Sequence, residues 1–299
     1  MRRYPSSFRT PEGEARYIDA YNATLALWPV AFDSQEVNTR CGLTHIIVSG
    51  PTGAPPLLLL HGMNLSATMW FPNVADLAHR YRVYAVDTIG SASKSVASQP
   101  LKNRADLTDW LDDVCDALGI ACTHILGHSH GGWIALNYAM SAPARVKRLI
   151  LLAPAGALVP LAMQFYIRGI PTLLFPVRPL ITSFMRWMTA EGFVVKEPFV
   201  EQFVLGAKNF KSQIRVPPSV FTDAELRKIT APTLLLLGAQ EVIYDPRAAA
   251  KRARGLVPNI KVEIIPNSSH GLPMEQPRLV NERVLTFLSS EGDWASQAA

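Results

Sequence analysis

His124-Ile125-Leu126-Gly127-His128-Ser129-His130-Gly131-Gly132-Trp133 decides how this 299-residue chain is read. It holds a Gly-x-Ser-x-Gly directly after an apolar run and directly before a helix-like one. The bare pattern arises by chance in about one chain in ten of this length, so the flanks carry the weight. Upstream, Ile125 and Leu126 end a short buried-strand run. Downstream, Trp133, Leu136, Asn137, Met140 and Ala144 recur at helical spacing. A strand, a tight turn and a helix in that order put Ser129 on a strained elbow with its hydroxyl exposed. Glycine suits positions 127 and 131, because side chains there would collide with the neighbouring strand and helix.

The rest of the chain alternates in the same way. Residues 11–28 open on the helix-start signal Thr10-Pro11-Glu12, with Tyr17, Tyr21, Leu25 and Trp28 on one face. Segments 34–39 and 43–49 read as an antiparallel pair. Leu57–Leu60 is a continuous apolar run, as a strand buried on both faces requires. Helices over 74–79, 106–118, 131–141, 246–254 and 277–289 alternate with strands over 83–86, 125–126, 146–152, 232–237 and 262–265. This rhythm predicts an α/β fold, a mostly parallel central sheet flanked by helices. It stops between about 155 and 228, a Pro-, Phe-, Leu- and Met-rich stretch without a clear strand. That stretch reads as a helical cap over the carboxyl ends of the strands. The expected domains are an N-terminal helical extension (1–33), a core (34–154 and 229–292) and the cap (155–228).

Composition narrows the function. Charged residues make up 18% of the chain and the net charge is +5. Residues 156–220 hold seven Lys/Arg against three Glu, so +4 of that charge is local and expected on the cap's outer face. No Lys/Arg block of the nucleic-acid kind exists. Cys41, Cys115 and Cys122 show no paired or metal-ligand spacing, which suits a reducing compartment or simple buried thiols. Met1-Arg2-Arg3 is not followed by an apolar run, and no stretch reaches 18 apolar residues. Neither a signal peptide nor a membrane span is therefore expected.

A serine hydroxyl is a weak nucleophile. It needs a base, the base an orienting acid, and the tetrahedral oxyanion a pair of N–H donors. Of seven histidines, His270 follows the last strand run in Pro266-Asn-Ser-Ser-His270-Gly271, at the end of the sheet toward which the elbow points. His128 and His130 flank Ser129 and are expected to face away from its hydroxyl. His45 and His79 look like surface or satisfied polar positions. The acid is sought after the strand at 233–237, where Glu241 and Asp245 both occur. Asp245 precedes Pro246 and a helix, an N-cap signature, so Glu241 is the chosen acid. The expected oxyanion donors are the N–H groups of His130 and of Met63, in the loop His61-Gly62-Met63-Asn64. His61, in that strand-exit loop, is expected to be structural. It is also counted, with Asn64, Met163 and Tyr166, among the residues bordering the substrate.

Leu57–Leu60-His61-Gly62, Asp87-Thr-Ile-Gly90, Gly127–Gly132, Gly238–Glu241 and Ser269-His270-Gly271 together resemble the α/β-hydrolase fold superfamily, as an esterase-like core with a helical cap. The order Ser129, Glu241, His270 matches that family's nucleophile, acid and base. The chain departs from the family pattern in using Glu as the acid, in lacking a second glycine after Asp87, and in its single-glycine oxyanion loop. The resemblance implies a serine hydrolase of carboxylic esters that works through an acyl-enzyme. It implies a small-molecule ester substrate, no metal or organic cofactor, no nucleic-acid partner and no stable membrane insertion, in a cytoplasmic setting. A C–C bond or thioester hydrolase on the same fold is one alternative, and a non-catalytic small-molecule binding protein is another. The cap's large apolar side chains are expected to pack mostly on the core or on each other, with some bordering the acyl pocket. Such a closed pocket favours short to medium acyl chains, without a jump in rate at a lipid interface.

Overall fold

The computed structural model describes residues 5–290. Met1-Arg2-Arg3 lies outside the described residues, as do residues 291–292 of the expected core. The chain runs through α1 (Pro11–Leu25), β1 (Asp33–Thr39), β2 (Gly42–Ser49), β3 (Pro56–Leu60), α2 (Val74–Ala78), β4 (Arg82–Val86) and β5 (Val96–Ala97). There follow α3 (Arg104–Ala117), β6 (Thr123–His128), α4 (His130–Ser141) and β7 (Val146–Leu152). Then come α5 (Met163–Leu174), α6 (Arg178–Trp187), α7 (Glu197–Asn209) and α8 (Asp223–Leu226). The chain closes with β8 (Thr233–Gly238), α9 (Pro246–Leu256), β9 (Ile260–Ile265), α10 (Leu272–Glu275) and α11 (Pro277–Ser289).

One sheet holds the molecule together, in the order β1-β2-β4-β3-β6-β7-β8-β9, with β5 paired to β2. From β4 to β9 every pairing is parallel, and β1 and β2 are the antiparallel edge. The four leucines of β3 are fully buried because helices cover both faces. Parallel neighbours bring the carboxyl ends of β3, β6, β7 and β8 to one rim, where ligands bind in sheets of this kind.

Local chemistry sets the helix boundaries. Thr10 Oγ1 accepts the Gly13 N–H at 3.0 Å, and Pro11 occupies the first helical position of α1. Asn103 and Asp106 form a reciprocal capping box, so α3 starts two residues before the predicted Asp106. Four short elements among the described residues have no counterpart in the sequence reading: β5, α10 and the 3₁₀ turns at Ala67–Trp70 and Pro143–Arg145. Each is two to four residues long, too short for a periodic pattern.

Between β7 and β8 the chain leaves the sheet and forms α5–α8. α1 packs on this helical layer rather than on the sheet's middle. Phe8 and Phe210 rings lie 4.9 Å apart edge-on, and the Arg9 N–H donates to Asn209 O at 2.7 Å. Gln202 of α7 donates to Ser66 Oγ at 2.7 Å and to Tyr17 Oη at 3.2 Å, and accepts from Thr68 Oγ1 at 2.9 Å. This buried network joins α7, α1 and the loop after β3, with its polar groups satisfied, as burial demands.

Packing inside the helical layer departs from expectation. Leu158 and Met185 are buried, and Phe165, Phe184 and Trp187 pack together in part. Met163, Leu173, Leu174 and Phe175 are instead 65–72% exposed. Met163, Tyr166, Ile167, Ile170, Leu173 and Leu174 form one apolar stripe along α5 at helical spacing, and that stripe is 45–72% exposed, while Phe165 on the other side packs inward. All seven cationic side chains of residues 156–220 are exposed. Among the described residues no helix is long and apolar enough to cross a membrane.

Candidate active site

Ser129 is the last residue before α4, at φ 53° and ψ −117°. A serine in this left-handed region is strained and is held there by its surroundings. The Ser129 N–H donates to Leu152 O of the next strand at 2.9 Å, and Ser129 O accepts from Trp133 N. The glycines around it are required by close approach. A Cβ at Gly127 would stand 2.4 Å from Gly131 O, and one at Gly131 would stand 2.2 Å from Leu60 O. The helix can therefore press against β3 and β6 only with bare backbone at both places.

The Ser129 hydroxyl donates to His270 Nε2 at 2.8 Å, and His270 Nδ1–H donates to Glu241 Oε2 at 2.8 Å. Three loops at one rim supply this chain: the ends of β6, β8 and β9. Gly238 closes β8 and lets the histidine loop cross it, since a Cβ there would lie 2.3 Å from Ser269 O. The second oxygen of Glu241, Oε1, accepts the N–H groups of Val242 and Ile243 at 2.9 and 3.0 Å. One carboxylate thus ties down its own turn and also reaches the ring. Asp245 does neither; its Oδ1 accepts from Arg247 N and Ala248 N at 2.8 and 3.1 Å, capping α9.

His128 does not face away from the site. Its Nε2–H donates to the backbone carbonyl of His270 at 2.8 Å, and the two rings lie 5.2 Å apart. Burial, reinforced by neighbouring His270, pushes the His128 ring down to about 3, so it stays neutral. His130 stacks on Trp133 at 5.9 Å and is pushed down to about 4, again by burial. Sequence reasoning missed the support His128 gives to the histidine loop. Position next to the serine was the only signal, because the contact spans 142 residues.

His61 is corrected from a substrate-bordering residue to a buried strut. Its Nδ1–H donates to Gly62 O at 2.8 Å, and its Nε2 accepts the Thr88 N–H at 2.9 Å. Both ring nitrogens are spent on backbone and the ring is 1% exposed. Burial holds its pKa below the ordinary histidine value. The Gly62 carbonyl also accepts from Leu65 N at 3.2 Å. In a trans peptide the next N–H points opposite the carbonyl. Fixing Gly62 O therefore fixes the direction of the Met63 N–H.

A cavity of about 450 Å³ opens at Ser129 and His270. Gly62, Met63 and Asn64 line one side, and His128 and His130 the floor. Phe165, Tyr166, Ile170, Phe184, Met185 and Phe203 line the roof. Met163 is corrected as well: it opens α5 on the outer face, is 71% exposed, and does not line the cavity. Tyr166, three residues on, does line it. Among the described residues the lining contains no Lys, Arg, Asp or Glu. No group of three or more His, Cys, Asp or Glu among the described residues is placed to hold a metal ion.

Behind the site, Asp87 is fully buried. Burial alone raises its carboxyl, but the hydrogen bond and charge of His45, together with the charge of His61 and the Ala67 N–H, outweigh that and hold it low. His45 Nδ1 lies 2.9 Å from Asp87 Oδ2 and its Nε2 2.6 Å from Ser34 Oγ. This is a satisfied structural histidine, remote from Ser129. Asp87 Oδ1 also accepts the Ala67 N–H at 2.8 Å, which anchors the loop after β3.

The sequence profile of the alpha/beta hydrolase family matches residues 57–283. The chain is 44% identical to a Bacillus subtilis protein named "Uncharacterized carboxylesterase nap" over 92% of this chain and 93% of that one. It is 39% identical to carboxylesterase YbfK of the same organism, over 94% and 96%. A crystal structure of naproxen esterase (carboxylesterase NP) from Bacillus subtilis superposes with a TM-score of 0.89 at 43% identity, covering 94% of this chain and 99% of that one. The crystal structure of carboxylesterase CesB (YbfK) gives 0.90 at 38% identity, covering 94% and 100%.

Proposed function

The chain belongs to the alpha/beta hydrolase family, and from that premise we propose that it is a carboxylic ester hydrolase acting through Ser129, His270 and Glu241. The observation that carries the reading is the unbroken chain of 2.8 Å hydrogen bonds from serine to histidine to glutamate, at the floor of an apolar cavity.

The chemistry follows from that chain. Ser129 Oγ attacks the ester carbonyl carbon while His270 Nε2 takes its proton. Glu241 keeps Nδ1 protonated before the step and stabilises the imidazolium during it. The negative charge formed on the carbonyl oxygen is received by the N–H groups of His130, at the start of α4, and of Met63. Losing one such donor costs about 10² to 10³ in rate. His270 then returns the proton to the departing alcohol, leaving an acyl-Ser129 that water hydrolyses by the same steps in reverse.

The cavity suits neutral, apolar acyl groups. A volume of about 450 Å³ lies in the range that buries small organic ligands, and a lining without charged side chains offers a charged acyl group no partner. Asn64 and Tyr166 border the substrate in this reading, and residues 155–228 act as the cap. Short to medium acyl chains are preferred.

Turnover of p-nitrophenyl esters from C2 to C16 tests it. The expected profile shows many turnovers per protein and an optimum among short to medium chains. Absence of p-nitrophenol release above the buffer rate from every ester would make the protein a binder.

A further inference from the structure

The turn at residues 188–191, between α6 and α7, touches both loops that build the site. Met188 O accepts the backbone N–H of His270 at 3.1 Å. The Ala190 N–H donates to Glu275 Oε1 at 2.9 Å, while Glu275 Oε2 accepts the Ser269 N–H at 2.6 Å. The Glu191 N–H donates to Gln240 Oε1 at 3.2 Å, one residue before Glu241. Glu275 is therefore the only carboxylate among these bonds, and its two oxygens span the cap turn and the residue preceding His270.

The sequence makes room for this bridge. A Cβ at Gly271 would stand 2.8 Å from Glu275 Oε1, so the His270-Gly271 pair leaves the space that the carboxylate fills. Burial pushes the Glu275 carboxyl up, the Ser269 and Ala190 N–H groups and His270 pull it back, and the Glu241 charge pushes it up again. On its inner side the His270 carbonyl is held by His128. The peptide of His270 is thus pinned at both ends, and the cap supplies one of the pins.

We propose that Glu275 is a positioning residue for His270, coupling the seating of the cap turn to the placement of the base. The proposal rests on His270 being that base. A carboxylate is the group that fits, since it accepts two N–H donors on separate oxygens. A glutamine would turn its own NH₂ against one of them. If the bridge fails, the histidine loop loses its hold on the cap, and small misplacements of a reacting group carry large rate costs.

The test uses the full chain carrying Glu275→Gln, with thermal melting as the fold control. The kcat for p-nitrophenyl butyrate should fall about 10- to 100-fold, with KM within about threefold. Phosphonylation of Ser129 by a small organophosphonate should slow in parallel, because it needs the base but little of the cap's surface. Combined with Glu241→Gln, the substitution should add far less than its own factor, since both act through His270. Gly271→Ala, which drives the Glu275 carboxylate from its place, should reproduce the kcat loss and keeps the test open if Glu275→Gln does not fold. A loss confined to KM, an unchanged phosphonylation rate, or factors that multiply would overturn the proposal. A wild-type chain that neither turns over ester nor reacts with the phosphonate would instead overturn the ester-hydrolase reading.

Discussion

Glu241 and Asp245 stand four residues apart, and what each carboxylate holds separates them. Glu241 spends one oxygen on its own turn and the other on His270, while Asp245 spends Oδ1 on two N–H groups of α9. Glu241→Gln should cut kcat on the order of 10³ to 10⁴, because an amide cannot hold the His270 tautomer that a carboxylate holds. Asp245→Asn should leave kcat near wild type and cost about 1 kcal/mol of stability or less, since asparagine also caps helices. Steady-state kinetics and urea titration of the two variants check this, and the reverse ranking of activities would move the acid to Asp245. The capping signature Asp-Pro was legible in the sequence, and it isolated Glu241 by removing its competitor. His61 and His128 were not legible in the same way. Their roles depend on which backbone group lies across the ring, Thr88 N–H for one and His270 O for the other. Those partners lie 27 and 142 residues away, beyond any local pattern.

At the scale of elements, the strands and helices of the core follow from period and punctuation. β7 and α11 match their predicted limits end to end: Leu149–Leu152 are a continuous apolar run preceded by Val146 across Lys147 and Arg148, and Pro277 opens the other segment. α5 shows where the pattern stops deciding. Its apolar residues lie on one face, which the period alone would bury, yet that face is largely exposed; Tyr166, Ile170 and Leu173 line the cavity while Met163, Ile167 and Leu174 do not. Glycine positions carry the sharper prediction. Gly131→Ala should lose stability by about 1–3 kcal/mol or more, because its Cβ would meet Leu60 O at 2.2 Å and force α4 off β3. Gly255→Ala, inside α9 with nothing within 4 Å of the new Cβ, should gain about 0.4–1 kcal/mol by restricting the unfolded chain. Urea midpoints measure both, and equal effects would mean that backbone contact at the elbow does not set the packing.

The whole molecule buries several histidines in neutral form. His124 and His130 are pushed down to about 4 and His128 to about 3, and His61 is also lowered, all chiefly by burial. In the unfolded chain these rings take up protons near pH 6.5. Lowered folded-state values mean that the stability they contribute is present above about pH 6.5 and is lost as pH falls toward 4. Each proton taken up on unfolding steepens the loss by about 1.4 kcal/mol per pH unit. Urea midpoints between pH 8 and pH 4.5 should therefore be flat at first and then fall below about 6.5. A midpoint that holds constant to pH 5 would contradict the burial of these four rings.

Ester hydrolysis by this chain requires Ser129 to be the nucleophile that His270 activates. An organophosphonate, followed by intact-mass and peptide mass spectrometry, measures this most directly, because only an activated serine attacks phosphorus at a useful rate. One label per chain, on Ser129, is expected. With Ser129→Ala, labelling and ester hydrolysis should both vanish while the thermal transition persists. Labelling that survives this substitution, or that maps to another serine in the unaltered chain, would remove Ser129 from the role of nucleophile.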